Sequence, residues 1–175
     1  VDNQIVATAY YYLTTLGCTP YGGCTRTIGF YKTHAVEGLY GNNHDMVSAY
    51  LPIYLGMVGG SKTVVVNANT QVVSIMKFTG PGGASNGILK LYAQMLAAKL
   101  NIAGANGSGM GSEGSCIEKT IEEADAFLAN YNANDWSALT KEQKKMVIGW
   151  MNMFDKYNNG LLCAYHCDTM GDQND

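Results

Sequence analysis

Five cysteines constrain this chain more than any other feature. Cys18 and Cys24 stand near one end, Cys163 and Cys167 near the other, and only Cys116 lies between. Cysteines that bracket a whole domain point to covalent closure in an oxidising compartment, where thiols pair. Five thiols can form two bridges in about 15 ways, and spacing alone does not choose among them. End-to-end closure, Cys24 with Cys167 and Cys18 with Cys163, is the preferred arrangement. Closing a loop of well over 100 residues removes roughly 4 to 5 kcal/mol of unfolded-state entropy in the chain-entropy model. Cys116 is then the odd thiol, either buried and inert or bridged to another chain.

The 175 residues suffice for one domain with a substantial core. Charged residues are only 14% of the chain, against about 25% in an ordinary globular protein. Gly, Asn, Ser, Thr and Tyr must therefore cover much of the surface, and such a surface relies little on charge repulsion to keep neighbours apart. A net charge of −3 with no basic cluster gives no electrostatic footprint for nucleic acid. No apolar run approaches the roughly 20 residues that span a bilayer. Val1 reads as a processed start, so the expected location is extracellular or on a cell surface after removal of a signal peptide.

Patterning along the chain predicts an α+β fold. The expected form is a single, mainly helical core with an N-terminal strand arm and a small sheet. Residues 1–16 form the arm: Ile5, Ala7, Ala9, Tyr11 and Leu13 alternate with polar or aromatic positions, as in a half-buried strand, with Asn3 and Val6 as exceptions. Residues 17–167 form the globular domain, and 168–175 an acidic tail. Thr25 to Lys32 reads as a short extended segment, and Lys62 to Asn67 as the best internal strand. Thr70 to Phe78 is assigned to helix, with Asn69 or Thr70 as its cap. Ser85 is the expected cap of a helix carrying Ile88, Leu91, Tyr92, Met95 and Leu100 at helical spacing. Ser115-Cys-Ile-Glu118 has capping-box form ahead of Ile117, Ile121, Ala124, Phe127 and Leu128. Thr140-Lys-Glu-Gln143 repeats the device before Val147, Trp150, Met151 and Phe154, and Gly160 supplies the stop.

Several phrases in this pattern resemble a family of small secreted bacterial domains. The shared elements are Cys24-Thr-Arg-Thr-Ile-Gly-Phe-Tyr-Lys-Thr-His34, Ala97 to Ala103, Ala124 to Leu128, Asn158 to Gly160 and the closing His166-Cys167. They span roughly residues 17 to 167. The resemblance implies an extracellular or cell-surface protein, a bridge from Cys24 to Cys167, and no established activity. Within its opening and closing phrases it marks Thr25, Gly29, Lys32, His34 and His166 as structural motif residues. Three departures stand out: Tyr31 where Trp is usual, Cys18 and Cys163 as an apparently added pair, and the arm outside the shared region.

Candidate sites each have a bland counterpart. Cys18, Cys24, Cys163, His166 and Cys167 offer zinc donors, but structural zinc favours closely spaced pairs, so disulfides are the stronger reading. No nucleophile signature joins a cysteine to any of the three histidines, and no catalytic residue is assigned. His34 is expected to anchor its loop through a backbone hydrogen bond, and His44 with Asp45 and Met46 to sit in a surface loop. Asp168, Asp172 and Asp175 are weak calcium candidates that lack EF-hand spacing. Gly80-Pro-Gly-Gly83 lacks the Lys-Ser/Thr of a phosphate loop and reads as a turn. Asn106-Gly-Ser108 is a glycosylation-type sequon of poor specificity.

The leading expectation is a secreted structural protein that self-associates into a fibre or surface assembly, with the arm adding as a strand to a neighbour. The alternative is a monomeric adhesion module for glycan or a surface protein, contacting through Tyr10, Tyr11 and Tyr12. A metal-dependent secreted enzyme is the third and weakest reading.

Overall fold

The structure, a computed structural model, describes residues 23–38, 44–108 and 110–169. The strand arm with Ile5, Ala7, Ala9, Tyr11 and Leu13, the tyrosine run, Cys18, Asp172 and Asp175 lie outside the described residues. The elements in chain order are α1 (Ile28–His34), β1 (Ile53–Leu55), β2 (Val64–Val66), α2 (Asn69–Met76), α3 (Gly87–Ala103), α4 (Glu118–Leu128) and α5 (Lys141–Asn158). The fold is α+β, mainly helical, with one antiparallel hairpin in which Ile53 faces Val66 and Leu55 faces Val64.

Helix α3 organises the rest because its sequence is apolar almost all round. Ile88, Leu91, Ala93, Met95, Leu96, Ala97, Ala98 and Leu100 are all fully buried, which is the signature of a core helix rather than an amphipathic surface one. Val147, Phe154 and Tyr157 of α5, Ala124 and Leu128 of α4, Val72 and Met76 of α2, and Leu55 and Val66 of the hairpin join the same cluster. Burying such a side chain contributes about 1.5 to 3 kcal/mol relative to leaving it exposed.

The helix ends follow local chemistry, with three corrections. Asn86, not Ser85, caps α3: its Oδ1 accepts from the backbone N–H groups of Ile88 and Leu89 at 2.9 and 3.3 Å. Ser85 sits one residue too early, in the 3-10 turn Gly83–Ser85, and its hydroxyl donates to the Gly82 carbonyl. At the other end Gly104 turns left-handed at φ +98 and donates back to Leu100 and Asn101. Asn69 does not cap α2 but begins it, its amide donating to Asp45. Gln71 instead reaches back to accept from the N–H groups of Asn67 and Ala68. Ser115 makes no box with Glu118. Residues Ser115–Ile117 form a 3-10 turn, and the Glu113 carboxylate accepts the Ser115 N–H at 2.8 Å. The Thr140 and Gln143 box ahead of α5 is present in both directions, at 3.2 and 2.9 Å.

The expected extended segment at Thr25 to Lys32 is a correction of another kind. Only its first residues are extended, and α1 begins at Ile28. Helical spacing lets Phe30 stack on His34 at 4.0 Å while Tyr31 turns fully into the core. An extended chain would hold Phe30 and His34 about 13 Å apart, too far to stack.

Candidate functional site

The described residues of greatest chemical interest lie where the two ends of the domain meet. Residues Gly23 to Thr25 run between two other segments, bridged in parallel to Ser112 on one side and His166 on the other. Gly23 donates to the Gly111 carbonyl at 2.8 Å, Thr25 to Tyr165 at 2.7 Å, and Cys167 back to Thr25 at 3.0 Å. A side chain at Gly23 would run into the Met110 carbonyl, so only glycine fits this seam. The Cys24–Cys167 disulfide lies along the seam, with Cα atoms 4.7 Å apart. This is the bridge that the family resemblance implies.

The second bridge corrects the expected pairing. Cys163 is bonded to Cys116, not to Cys18, and Cys116 is not an odd thiol. The 3-10 turn before α4 carries Cys116 to 5.9 Å from Cys163, Cα to Cα, within the span a disulfide requires. Spacing along the sequence could not reveal that approach. Because Cys24, Cys163 and Cys167 are all bonded, they offer no thiolates as ligands. Among the described residues no cluster of three or more histidines, cysteines or carboxylates is placed to hold a metal ion.

Beneath the seam lies a buried polar network centred on Asn101, which projects from the last turn of α3. Its Oδ1 accepts from the Arg26 N–H at 2.8 Å and the Tyr31 hydroxyl at 2.7 Å. Its Nδ2 donates to the Arg26 carbonyl at 2.9 Å and to Asn158 Oδ1 at 3.0 Å. All four hydrogen-bonding positions of the amide are thus used. Asn158, from the end of α5, passes its own amide hydrogens to the Gln94 carbonyl and side chain at 2.9 Å. Burial drives the Tyr31 phenol far above its ordinary ionisation and raises that of Tyr157, whose hydroxyl shares a 2.6 Å bond with Ser112. These phenols stay protonated at neutral pH and serve here as hydrogen-bonding struts.

Asn106 supports the seam from the outside. Its Nδ2 donates to the carbonyls of Cys24 at 2.6 Å and Met110 at 3.1 Å, and the residue is 1% exposed. The amide nitrogen of the sequon faces inward with both hydrogens engaged, so this fold presents no glycosylation site there. Arg26 spans the outer rim: its guanidinium covers the Phe30 ring at 4.7 Å and pairs with Asp168. His166 Nδ1 approaches the same carboxylate at 3.5 Å. Asp168, one of the calcium candidates, thus pairs across the closure with Arg26.

The remaining motif residues play structural parts or none. His34 Nδ1 is 2.9 Å from the Phe30 carbonyl, and the His34 carbonyl accepts from Met46, so this histidine anchors its loop. Gly29 is exposed, and a side chain there would meet only Thr27 at an ordinary distance. Nothing in the structure explains Lys32. His44 is a surface residue 3.8 Å from Glu37, and Asp45 accepts from Val47, Ser48 and Asn69. Burial opposes ionisation of Asp45, but those hydrogen bonds prevail and lower its pKa.

Two open grooves flank this framework. One, of about 320 Å³, runs along residues 45–50 and Gly104 to Gly107. The other, of about 500 Å³, is lined by Ile102, Gly114, Ser115, Glu118, Ile121 and Glu122. Away from both, Lys99 of α3 joins Asp125 of α4 at 2.7 Å and the Tyr54 carbonyl at 2.7 Å. Burial lowers the Lys99 pKa against the pull of that carboxylate.

Sequence reasoning missed Asn101, Asn158, Arg26 and Tyr31 as one network. A signal was available, since Asn101 occupies a buried position on an otherwise apolar helix face, where an amide requires partners. Comparisons with protein-family models, curated proteins and solved structures find no match for this chain. The site and fold define an α+β domain closed by two disulfides, in which the described residues contain no helix long and apolar enough to cross a membrane.

Proposed function

We propose that this protein is a secreted structural subunit that associates with copies of itself into an extracellular fibre or surface assembly. The observation that carries the reading is the apolar surface around the closure of a sparsely charged domain. Met110 and Tyr165 flank the Gly23 to Thr25 segment and are 51% and 61% exposed, and Leu161 nearby in sequence is 70% exposed. Large apolar side chains left in water around one seam favour a partner surface. Two bridges suit the same role, because they hold the domain closed when its neighbours pull on it.

In this reading residues 1–16 enter a neighbour, with Ile5, Ala7, Ala9, Tyr11 and Leu13 as the inserting face. The hairpin is a short acceptor edge: its strands have three residues each, and the Tyr54 carbonyl is already taken by Lys99. The arm would therefore gain chiefly by burying its apolar face. Size-exclusion chromatography of the full chain and of a chain lacking residues 1–13 tests the proposal. The full chain is expected to assemble and the shortened one to remain a folded monomer. A full chain that stays monomeric at high concentration would favour the adhesion-module reading. A shortened chain that still assembles removes the arm from the mechanism.

A further inference from the structure

The groove of about 500 Å³ beside α4 has an apolar floor and an acidic rim. Ile102 and Ile121 form the floor, while Glu118 and Glu122 stand one turn apart on α4, and among the described residues no basic side chain lines it. Neither carboxylate has an ion pair or hydrogen-bond partner among the described residues. Like charges four residues apart on a helix repel, so this pair is unfavourable in the isolated domain.

The outer face of α5 carries the complementary pattern. Val147, Trp150 and Phe154 turn inward, which leaves Lys141, Lys145, Ile148 and Asn152 as one exposed stripe at helical spacing. Ile148 and the neighbouring Met146 are 36% and 50% exposed, and a side chain at Gly149 would meet nothing within 4 Å. The ammonium groups of Lys141 and Lys145 also have no partner among the described residues. They are four residues apart, as Glu118 and Glu122 are, so both charge pairs recur at one helical turn, or about 6 Å. Each pair also has an isoleucine three residues after one of its members.

We infer that the α5 stripe of a second copy of this chain docks into the groove, Lys141 and Lys145 against Glu118 and Glu122, with Ile148 over the Ile102 and Ile121 floor. This interface rests on the self-association reading and gives it an orientation. Groove and stripe are built from different residues, so one copy's stripe in the next copy's groove makes a head-to-tail chain, whereas reciprocal docking of both pairs closes a two-fold dimer. Docking relieves both like-charge repulsions and covers the exposed isoleucine, with salt weakening the charged part. A strand arm supplies attachment, whereas this contact sets how one subunit is turned relative to the next.

Paired charge reversal in the full chain tests the interface. Glu118→Lys/Glu122→Lys and Lys141→Glu/Lys145→Glu are made separately, and folding is checked by circular dichroism. Assembly is followed by light scattering and sedimentation in low salt. Each variant alone should need a roughly tenfold or higher concentration to assemble, since two attractions become repulsions. An equimolar mixture should recover wild-type assembly, because each reversed groove then meets an oppositely charged stripe; that recovery also shows both variants to be folded. Variants that assemble like the wild type overturn the interface while leaving self-association intact. Impairment of the groove variant alone, without rescue by mixing, means that the groove takes another cationic partner and also overturns it. A wild-type chain that never assembles fails the self-association reading, and this interface with it.

Discussion

Replacing Asn101 by alanine removes four hydrogen bonds from the centre of the closure. The two partners that suffer most are the Tyr31 hydroxyl and Asn158 Oδ1, because both residues are fully buried. Leaving a buried polar group unsatisfied costs about 1 to 3 kcal/mol, so these two together cost about 2 to 6 kcal/mol. The Arg26 backbone is only half-buried, and water can recover much of that loss. A domain of this kind has about 5 to 15 kcal/mol of stability in all, so the substitution removes a large share of it. Urea unfolding under non-reducing conditions, followed through the fluorescence of Trp136 and Trp150, provides the assay. With a slope of about 1 to 3 kcal/mol per molar urea, the midpoint should fall by roughly 2 M. Tyr31→Phe removes one donor while Asn101 Oδ1 keeps the Arg26 N–H, and it should cost about 1 kcal/mol. The double variant should cost less than the sum of the two, since phenylalanine leaves no hydroxyl to be orphaned. A midpoint shift under about 0.3 M for Asn101→Ala, or strict additivity of the pair, would refute the network argument.

Further outcomes follow from the same geometry. Lys99→Met leaves the largely buried Asp125 carboxylate with the Gly56 N–H as its remaining described partner; it should cost about 3 to 5 kcal/mol by thermal or urea unfolding, and Asp125→Leu on that background should restore part of it. Replacing Cys24 and Cys167 by alanine should remove up to about 5 kcal/mol, and replacing Cys116 and Cys163 up to about 4, given sequence separations of 143 and 47. Alkylation of the denatured, unreduced chain followed by peptide mass mapping should leave Cys24, Cys116, Cys163 and Cys167 unlabelled, and label on Cys116 would contradict the second bridge. Asp135 is held below its ordinary pKa by the Lys62 ammonium and then by the Asn132 N–H, so its contribution is complete above about pH 4 and is lost as pH falls through the lowered value. Asp135→Asn should flatten the acid side of the melting-temperature profile and change its slope little near neutrality.

Legibility differed by element for identifiable reasons. The faces of α3, α4 and α5 were readable because helical spacing of apolar residues reports burial directly, as Leu91, Ala124 and Phe154 show. The Thr140 box was readable because both of its partners lie within four residues. At Ser85 and Ser115 the same rule misled, since Asn86 and Glu113 offer competing acceptors one or two residues away. Around Thr25 to Lys32 a short mixed run suits strand and helix equally, and burial of Tyr31 decides for the helix. The candidate site was legible only as separate phrases. Arg26, Asn101 and Asn158 are 75 and 57 residues apart along the chain, and no local pattern states that one amide bonds them both.

The sequence by itself determined the fold class, the apolar faces of the three long helices and a cysteine complement sufficient for two bridges, because composition and periodicity carry those properties locally. Tertiary structure alone decided which cysteines join. Disulfide formation depends on the separation of Cα atoms in space, and only the folded turn at Ser115–Ile117 carries Cys116 to Cys163. It likewise decided that Asn106 faces inward and that Asp168 belongs to Arg26, since both follow from which backbone segments lie side by side at the seam.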